Sequence, residues 1–293
     1  ANVDVYITGS NAFFMSSEIA TLLPGRYVQL DMLPLSFEEF RSAAEDQDMV
    51  SLETMYARYI EESSFPYTRS LGGTRLDVQE YLTGLYHTIL LKDVVTRLNI
   101  RDVSVLESIV KYIFANVGSV LSATKIADSL TSVGRKTDNK TVEFYISGLL
   151  DSLVLYQANR YNVRGKEILK RNCKYYVVDP ALRYLIVGNK GYDTGHILEN
   201  VVYLELLRRG YQVYVGSIPN GEIDFVAVKD NKLEYYQVSE STLDSQVLER
   251  ELKPLQSIHD QYPKYLLTLD EINGRADYNG IRKQNVLEWL FGR

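Results

Sequence analysis

The sequence predicts a mixed α/β protein of several domains, because of its length and two patterns of elements. With 293 residues the chain is long for one domain, so two or three compact units are expected. Residues 101–185 read as three helices followed by two strands. Residues 186–293 read as a helix, three strands, a helix, a strand and a final helix. We therefore divide the chain near residues 100 and 185.

The first segment, residues 1–100, opens on an apolar strand, Val3–Thr8, that ends in small polar residues. A short helix over 16–23, a strand over 28–33 and helices after Ser36 are predicted to follow. A buried strand with polar residues at its carboxyl end, followed by a helix and an arginine, is typical of nucleotide-hydrolysing sheets. The segment is therefore predicted to be the end of such a sheet.

Three phrases of the first segment carry a family resemblance. Thr8–Ala12 reads T-G-S-N-A, Ser16–Tyr27 reads S-S-E-I-A-T-L-L-P-G-R-Y and Leu33–Phe40 reads L-P-L-S-F-E-E-F. In this order they resemble the ATPase family that joins an AAA-like P-loop ATPase module to a winged helix and a C-terminal PD-(D/E)XK nuclease-like domain. The resemblance covers nearly the whole chain, and Tyr81–Val95 looks like the helical lid of that family.

The resemblance implies ATP and Mg²⁺ as ligands of the full-length family, with Ser10, Asn11 and Arg26 on the sensor side of the nucleotide. Asn11 would orient the attacking water, and Arg26 would meet transition-state charge on a neighbour's nucleotide. The alternatives are that Asn11 caps the next helix and Arg26 makes a surface ion pair. The sequence contains no G-x-x-x-x-G-K-S/T phosphate loop. We therefore expect a C-terminal fragment, or a chain that has lost its catalytic half, which does not hydrolyse ATP.

The middle segment, residues 101–185, is predicted to be a winged helix-turn-helix. Its third helix, near 138–150, would be the groove reader, with Arg135, Lys136, Asn139 and Lys140 outward or at its start. Lysine and arginine here would meet phosphates, and Asn139 would reach a base edge. The predicted wing adds further cations, Arg164, Lys166 and Lys174 among them. A solvated basic face or an intramolecular docking surface is the competing interpretation.

The last segment, residues 186–293, has the core element order of the PD-(D/E)XK nucleases. That chemistry needs a divalent metal held by acids, with a lysine two residues after the second acid. The resemblance places Glu199 on the helix, Asp224 as the first acid, and Gln237 and Ser239 where the second acid and the lysine belong. An amide thus replaces an anion and a hydroxyl replaces a cation, so the site is predicted to be degenerate.

Alternatives stay open at these positions. An active metal-dependent DNA nuclease would use Glu199, Asp224 and Gln237, with a divalent metal at Asp224. Structural roles are also open: Asp224 as a hairpin acid satisfied by backbone amides, and Glu199 as an exposed helix acid beside Arg208 or Lys190.

Composition limits the choice of partners. The net charge of −6 argues against a broadly basic surface, so any DNA affinity would be focal. One cysteine cannot form an internal disulfide, which favours a reducing cytoplasm. No apolar run approaches the ~20 residues needed to span a bilayer, so no membrane partner is expected. DNA, a protein partner and a second copy of the chain remain the candidate partners.

Overall fold

The structure of the protein, a computed structural model, describes residues 5–6, 28–71, 74–188, 193–219 and 221–292. Only residues 5–6 of the predicted strand Val3–Thr8 are described, and the helix predicted over 16–23 lies entirely outside the described residues. No helix in the described ranges is long and apolar enough to cross a bilayer. In the described part of the first segment the helices are α1 (Phe37–Ser42), α2 (Leu52–Glu61), α3 (Pro66–Ser70), α4 (Arg75–Tyr86), a π-helical stretch (His87–Val94) and α5 (Val95–Leu98).

The strand predicted over residues 28–33 is wrong. These residues pair with no strand in the described part of the chain. Val28 and Met32 are 86% and 83% exposed. Within the described ranges no neighbouring strand supplies the ladder of backbone hydrogen bonds that would hold these residues as a strand.

Helix α1 attaches the first segment to the end of the chain. Its start is a capping box, in which Ser36 Oγ accepts from the Glu39 amide at 3.0 Å and the Glu39 carboxylate accepts from the Ser36 amide at 2.7 Å. Phe37 and Phe40 are buried, and the ring of Phe37 lies 5.4 Å from that of Phe291. The phrase L-P-L-S-F-E-E-F therefore encodes a helix start and two core residues.

The middle segment has the element order helix, strand, helix, helix, strand, strand. The predicted three helices and strand pair are present, and a short strand between the first two helices is additional. Whether this unit is a winged helix stays a prediction. The elements are α6 (Val103–Ala115), β1 (Val120–Leu121), α7 (Ala123–Ser132), α8 (Asn139–Asp151), β2 (Leu155–Asn162), β3 (Glu167–Val177) and α9 (Pro180–Val187).

The last segment contains the predicted helix, three-stranded meander, helix and strand, followed by a hairpin and a short helix. Its elements are α10 (Thr194–Arg208), β4 (Gln212–Ile218), β5 (Gly221–Lys229), β6 (Lys232–Ser239), α11 (Ser245–Gln256), β7 (Lys264–Thr268), β8 (Ala276–Tyr278), β9 (Ile281–Asn285) and α12 (Val286–Leu290).

One sheet runs through both of these segments. In the described residues it has nine strands in the order β1-β3-β2-β4-β5-β6-β7-β9-β8. The junction is a parallel pairing of β2 with β4, in which Arg160 lies opposite Val215 and Asn162 opposite Ser217. The predicted boundary at residue 185 is therefore crossed by a hydrogen-bonded ladder.

Helices α10 and α11 cover opposite faces of the central strands. Tyr236 and Leu267 belong to the large core that includes α10, whereas Tyr235 and Leu266 pack with Leu255 of α11. Neighbouring strand residues point to opposite faces, so each pair supplies both cores. The candidate site lies where α10, α11 and the carboxyl end of β6 meet.

Candidate functional site

A β-bulge places Asp224 in this site. Tyr214 pairs with Val226, and Gly216 pairs with Ile223, so one residue of β4 lies opposite two residues of β5, Asp224 and Phe225. A bulge re-aims side chains and is frequent beside functional sites. The carboxylate of Asp224 accepts a 2.8 Å hydrogen bond from the amide of Val238 on the neighbouring strand.

Helix α10 holds Glu199 against strand β3. The adjacent Asn200 is fully buried, accepts from the Val177 amide at 2.8 Å and donates to the Val177 carbonyl at 3.0 Å. This two-point contact fixes the helix on the strand. Glu199 is itself 7% exposed. The alternative of an exposed helix acid beside Arg208 or Lys190 is therefore wrong.

Lys174 is the centre of the cluster. Its ammonium lies 2.9 Å from a carboxylate oxygen of Glu199, 2.7 Å from Glu222 and 3.8 Å from Asp224. The lysine is 4% exposed. Tyr176, two residues further along β3 and therefore on the same face, donates its hydroxyl to the same oxygen of Glu199.

A glycine makes room for Glu199. Gly118 has a φ of +74°, and a Cβ at this position would lie 2.9 Å from Nδ1 of His196 and 3.3 Å from an oxygen of Glu199. Both the backbone conformation and the close approach favour glycine.

The charges of the cluster shift its pKa values in different directions. Burial raises the pKa of Glu199, but the charge of Lys174 and hydrogen bonds from its neighbours outweigh burial and bring it below the ordinary value. Burial and the charge of Glu199 raise the pKa of Asp224 to about 8, against the opposing effect of Lys174. Burial lowers the pKa of Lys174, but Glu199, Asp224 and Glu222 outweigh it and raise it. The cluster thus combines a lysine cation that stabilises the ionised form of Glu199 with an Asp224 carboxyl group that holds its proton more tightly than usual.

Gln237 is held by helix α11. Its amide nitrogen donates to Glu251 at 2.9 Å, and the other oxygen of Glu251 accepts two hydrogen bonds from Arg250. The carbonyl oxygen of Gln237 lies 3.4 Å from the backbone amide of Asp224. Ser239 donates to the carbonyl of Ser241 at 3.2 Å. Gln237 therefore meets Asp224 only at the backbone, and Ser239 contacts neither acid.

An open cleft of about 490 Å³ borders the cluster. His196, Glu199, Ser239, Arg250 and Glu251 are among its lining residues. His196 Nδ1 lies 3.8 Å from Glu199, and this carboxylate raises the pKa of His196. The cleft gives solvent access to one edge of the cluster, whereas the ammonium of Lys174 is buried behind it.

The cluster does not fit a divalent metal. Such an ion needs several oxygen ligands around its own position, but the ammonium of Lys174 already lies among the oxygens of Glu199, Glu222 and Asp224. Across the ranges that the structure describes, no three His, Cys, Asp or Glu side chains form a group that could hold a metal.

The predicted DNA-contacting residues fall into two groups. Near the start of α8, Lys136 and Lys140 are exposed, Arg135 donates to Ser104 at 2.7 Å and Asn139 donates to Thr124 at 3.0 Å. The second group, Arg164 and Lys166, lies exposed in the turn between β2 and β3. The predicted nucleotide residues Ser10, Asn11 and Arg26 lie outside the described residues.

Sequence reasoning missed the cation of the cluster. The pattern groups Lys174 with the cations of the predicted wing, but its side chain is buried and pairs with Glu199. A lone lysine inside the apolar run Cys173–Val178 was the available signal. Glu222 and Glu251 were also missed, and nothing local in the sequence distinguishes them from surface acids.

Comparisons with known proteins give two relatives and two family matches. An uncharacterized protein of Haemophilus influenzae is 37% identical over 290 residues, which is 99% of this chain and 71% of the relative. The uncharacterized protein MJ1544 of Methanocaldococcus jannaschii is 30% identical over 289 residues, which is 92% of this chain and 61% of that relative. The AAA domain family matches residues 1–41, and a domain of unknown function, DUF8612, matches residues 53–193. No solved structure shows significant similarity.

Proposed function

The chain belongs to the family of the Haemophilus influenzae relative, and we propose that it is an AAA-like protein whose C-terminal segment binds nucleic acid without cutting it. In this proposal residues 186–293 are a nuclease-like domain with a degenerate site. The absence of cleavage is proposed from the position of Lys174, whose ammonium lies among Glu199, Glu222 and Asp224.

A lysine in this position cannot replace a metal in catalysis. An ammonium group balances the negative charge of the carboxylates, but it has no open coordination site and does not activate a bound water as a metal ion does. Because Lys174 is 4% exposed and ion-paired, it is also unavailable as the general base of the reaction. In this proposal the nuclease-like domain therefore binds nucleic acid but does not cleave it.

The middle segment supplies the second support for nucleic-acid binding. Its element order is that of a winged helix, and α8 begins beside exposed Lys136 and Lys140. Neither lysine has an ion-pair partner among the described residues. Two unpaired cations at the start of a helix are suited to phosphate contacts in an otherwise acidic chain.

For nucleotide chemistry, the match of residues 1–41 to the AAA domain family supports an AAA-like origin only. We propose that ATP and Mg²⁺ are ligands of full-length relatives, with Ser10, Asn11 and Arg26 on the sensor side. Because the sequence has no phosphate loop, we expect no ATP hydrolysis by this chain. A reducing cytoplasm fits the free thiol of Cys173.

The test combines a binding and a cleavage measurement. Labelled single-stranded and duplex DNA are incubated with the protein at low salt, with Mg²⁺ or Mn²⁺, and run on native and denaturing gels. We expect a retarded complex that weakens with added salt, and intact DNA in every lane. A lack of retardation for both forms would overturn the proposal.

An active metal-dependent nuclease that uses Glu199, Asp224 and Gln237 is the second candidate. The open cleft beside Glu199 favours it, whereas the position of Lys174 among the acids opposes it. In the same incubations it predicts cleavage that Asp224→Asn abolishes. Cleavage that survives this substitution would point to a contaminating enzyme instead.

A further inference from the structure

A second and larger hollow lies between the β2–β3 turn and helix α11. It is a groove of about 920 Å³. Three parts of the chain form it: the turn residues Arg164 and Lys166, the β4 end at Ile218 and Pro219, and residues 250–260. The groove thus spans the junction of the middle and last segments, next to the β2–β4 pairing.

The charges along this groove are unbalanced. Arg164, Lys166 and Lys253 are exposed and have no carboxylate partner in the described part of the chain. Asp260, the acid among the lining residues, accepts from Tyr235 at 2.6 Å and pairs with Lys264 at 3.4 Å. The free cations therefore face the groove without local neutralisation, although the net charge of the whole chain is −6. Such a focal patch attracts a polyanion.

The floor of the groove identifies the kind of polyanion. Between the cations it is apolar, made by Val163, Ile218, Pro219, Pro254 and Ile258. Duplex DNA presents phosphates and grooves, and its base faces are stacked away from a protein surface. A single strand exposes base faces that pack on apolar and planar side chains, including histidine rings and guanidinium planes. His259 and Arg250 supply such planes here.

Arg250 also connects the groove to the cleft beside Glu199, because it lines both. Its side chain is 71% exposed, and it pairs with Glu251 at 2.7 Å. Glu251 in turn accepts from Gln237. A strand lying in the groove therefore reaches the edge of the degenerate site.

We propose that this groove is the binding site for single-stranded nucleic acid, with the phosphates on Arg164, Lys166 and Lys253 and the bases on the apolar floor. This inference rests on the proposed function, and it further specifies the groove as the binding surface and single strands as the form of nucleic acid that is bound. It places the main single-strand contact in this groove, apart from the cations at the start of α8.

The test is a fluorescence-anisotropy titration of a labelled oligothymidylate of about 16 nucleotides, at several salt concentrations. Arg164→Gln with Lys166→Gln removes two groove cations. Lys136→Gln with Lys140→Gln removes two cations at α8, and Lys111→Gln with Lys125→Gln is a control with the same change of net charge. All six side chains are on the surface, so each variant is expected to fold.

The groove variant should bind roughly 10- to 30-fold more weakly than the wild type at 0.1 M salt, with a salt slope smaller by about 1.4. The Lys111 and Lys125 control should stay within about twofold of the wild type. The α8 variant should weaken single-strand binding clearly less than the groove variant does, because its cations lie outside this groove. Lys253→Gln should weaken binding further when added to the groove variant.

Other outcomes overturn the inference in distinguishable ways. If the α8 variant loses binding and the groove variant does not, nucleic-acid binding stands but this site is wrong. If duplex DNA binds more tightly than the single strand, the assigned form is wrong. If the wild type binds neither single-stranded nor duplex DNA at low salt, the proposed function is wrong together with this inference. If polyglutamate binds tightly and neither form of DNA binds, the groove is assigned to acidic peptides instead.

Discussion

At the scale of single residues, Lys174 shows what a buried charge requires. An ammonium removed from water is stable only when anions and hydrogen-bond acceptors replace its hydration shell. Glu199 and Glu222 do so at 2.9 and 2.7 Å. The same oxygens would be left as a cluster of negative charges if the lysine were removed. That cluster is where a divalent ion would then be favoured.

Lys174→Met should therefore destabilise the protein by about 3–5 kcal/mol and make it dependent on metal. Added Mn²⁺ should raise the melting temperature of the variant and leave that of the wild type unchanged, because only the variant has oxygens free to bind the ion. Differential scanning fluorimetry with and without MnCl₂ measures both effects.

Lys283→Met is the matched control. Lys283 is also buried and ion-paired, 2.8 Å from Asp270, but a single carboxylate remains when it is removed. It should destabilise the fold without rescue by Mn²⁺. Equal rescue of the two variants, or none for Lys174→Met, would contradict the interpretation of Lys174 as a replacement for a metal.

Asp224 gives a pH prediction. Its pKa is raised to about 8 in the folded state, against about 3.9 in an unfolded chain. The folded protein therefore holds the proton more tightly, so the stability this proton contributes is fully present below pH 4 and is lost as pH rises through 8. Asp224→Asn should remove this loss, which has a slope of up to about 1.4 kcal/mol per pH unit.

Urea denaturation of wild type and Asp224→Asn between pH 4 and 9 measures the difference. His196, whose pKa is also raised, titrates in both proteins and cancels. Parallel stability curves would show that Asp224 is ionised throughout. The prediction of Asp224 and Glu199 as neighbours came from a family motif. No motif points to the contact of Lys174 with Glu199, and the one local signal for it was a lysine inside an apolar run.

At the scale of elements, Asp179 joins helix α9 to the loop before α3. It caps α9 by accepting from the Leu182 amide at 2.8 Å. It also accepts from the amide and hydroxyl of Ser64, at 2.7 and 2.6 Å, and from the hydroxyl of Ser63. Burial raises its pKa against these hydrogen bonds. A helix cap thus also holds the loop before α3.

Asp179→Ala should cost about 3–4 kcal/mol of unfolding free energy, because it removes a cap and leaves buried serine groups without a partner. Asp138→Ala, at the exposed cap of α8, should cost only about 1 kcal/mol. Chemical denaturation of both variants gives the comparison. Equal costs would mean that the contacts with Ser63 and Ser64 add nothing.

Caps and helices were the most predictable elements, since their signals are local. Ser36 before α1 and Ser122 before α7 both accept backbone hydrogen bonds from the first turn of their helix. Strand pairing was less predictable. The extended segment over 28–33 has an alternating pattern but no partner in the described ranges, and the hairpin β8–β9 has little apolar alternation to reveal it.

At the scale of the whole molecule, the nine-stranded sheet links segments that the sequence suggests are separate. Sequence pattern predicts the strands of each segment, but the β2–β4 pairing depends on side-by-side packing of residues about 55 positions apart. Its consequence is shared stability. A ladder that crosses the junction cannot open on one side without exposing backbone groups on the other.

The two segments should therefore unfold in one transition. Trp289, the only tryptophan, reports on the last segment by fluorescence, and Cys173, the only cysteine, reports on β3 by its reaction with a thiol reagent. In urea both midpoints should coincide. Two separated midpoints would show that the segments are independent domains.

The parallel pairing of β2 with β4 also fixes the distance between two functional regions of the sheet. The turn that carries Arg164 is set by β2, and the bulge that carries Asp224 is set by β5, two strands away in the ladder. Sliding either strand would break a row of hydrogen bonds and move side chains to the wrong face. The distance from the turn to the bulge is thus fixed by the backbone. A single-stranded nucleic acid must exceed a minimum length to contact both, so the protein would select nucleic acids by length independently of their base sequence.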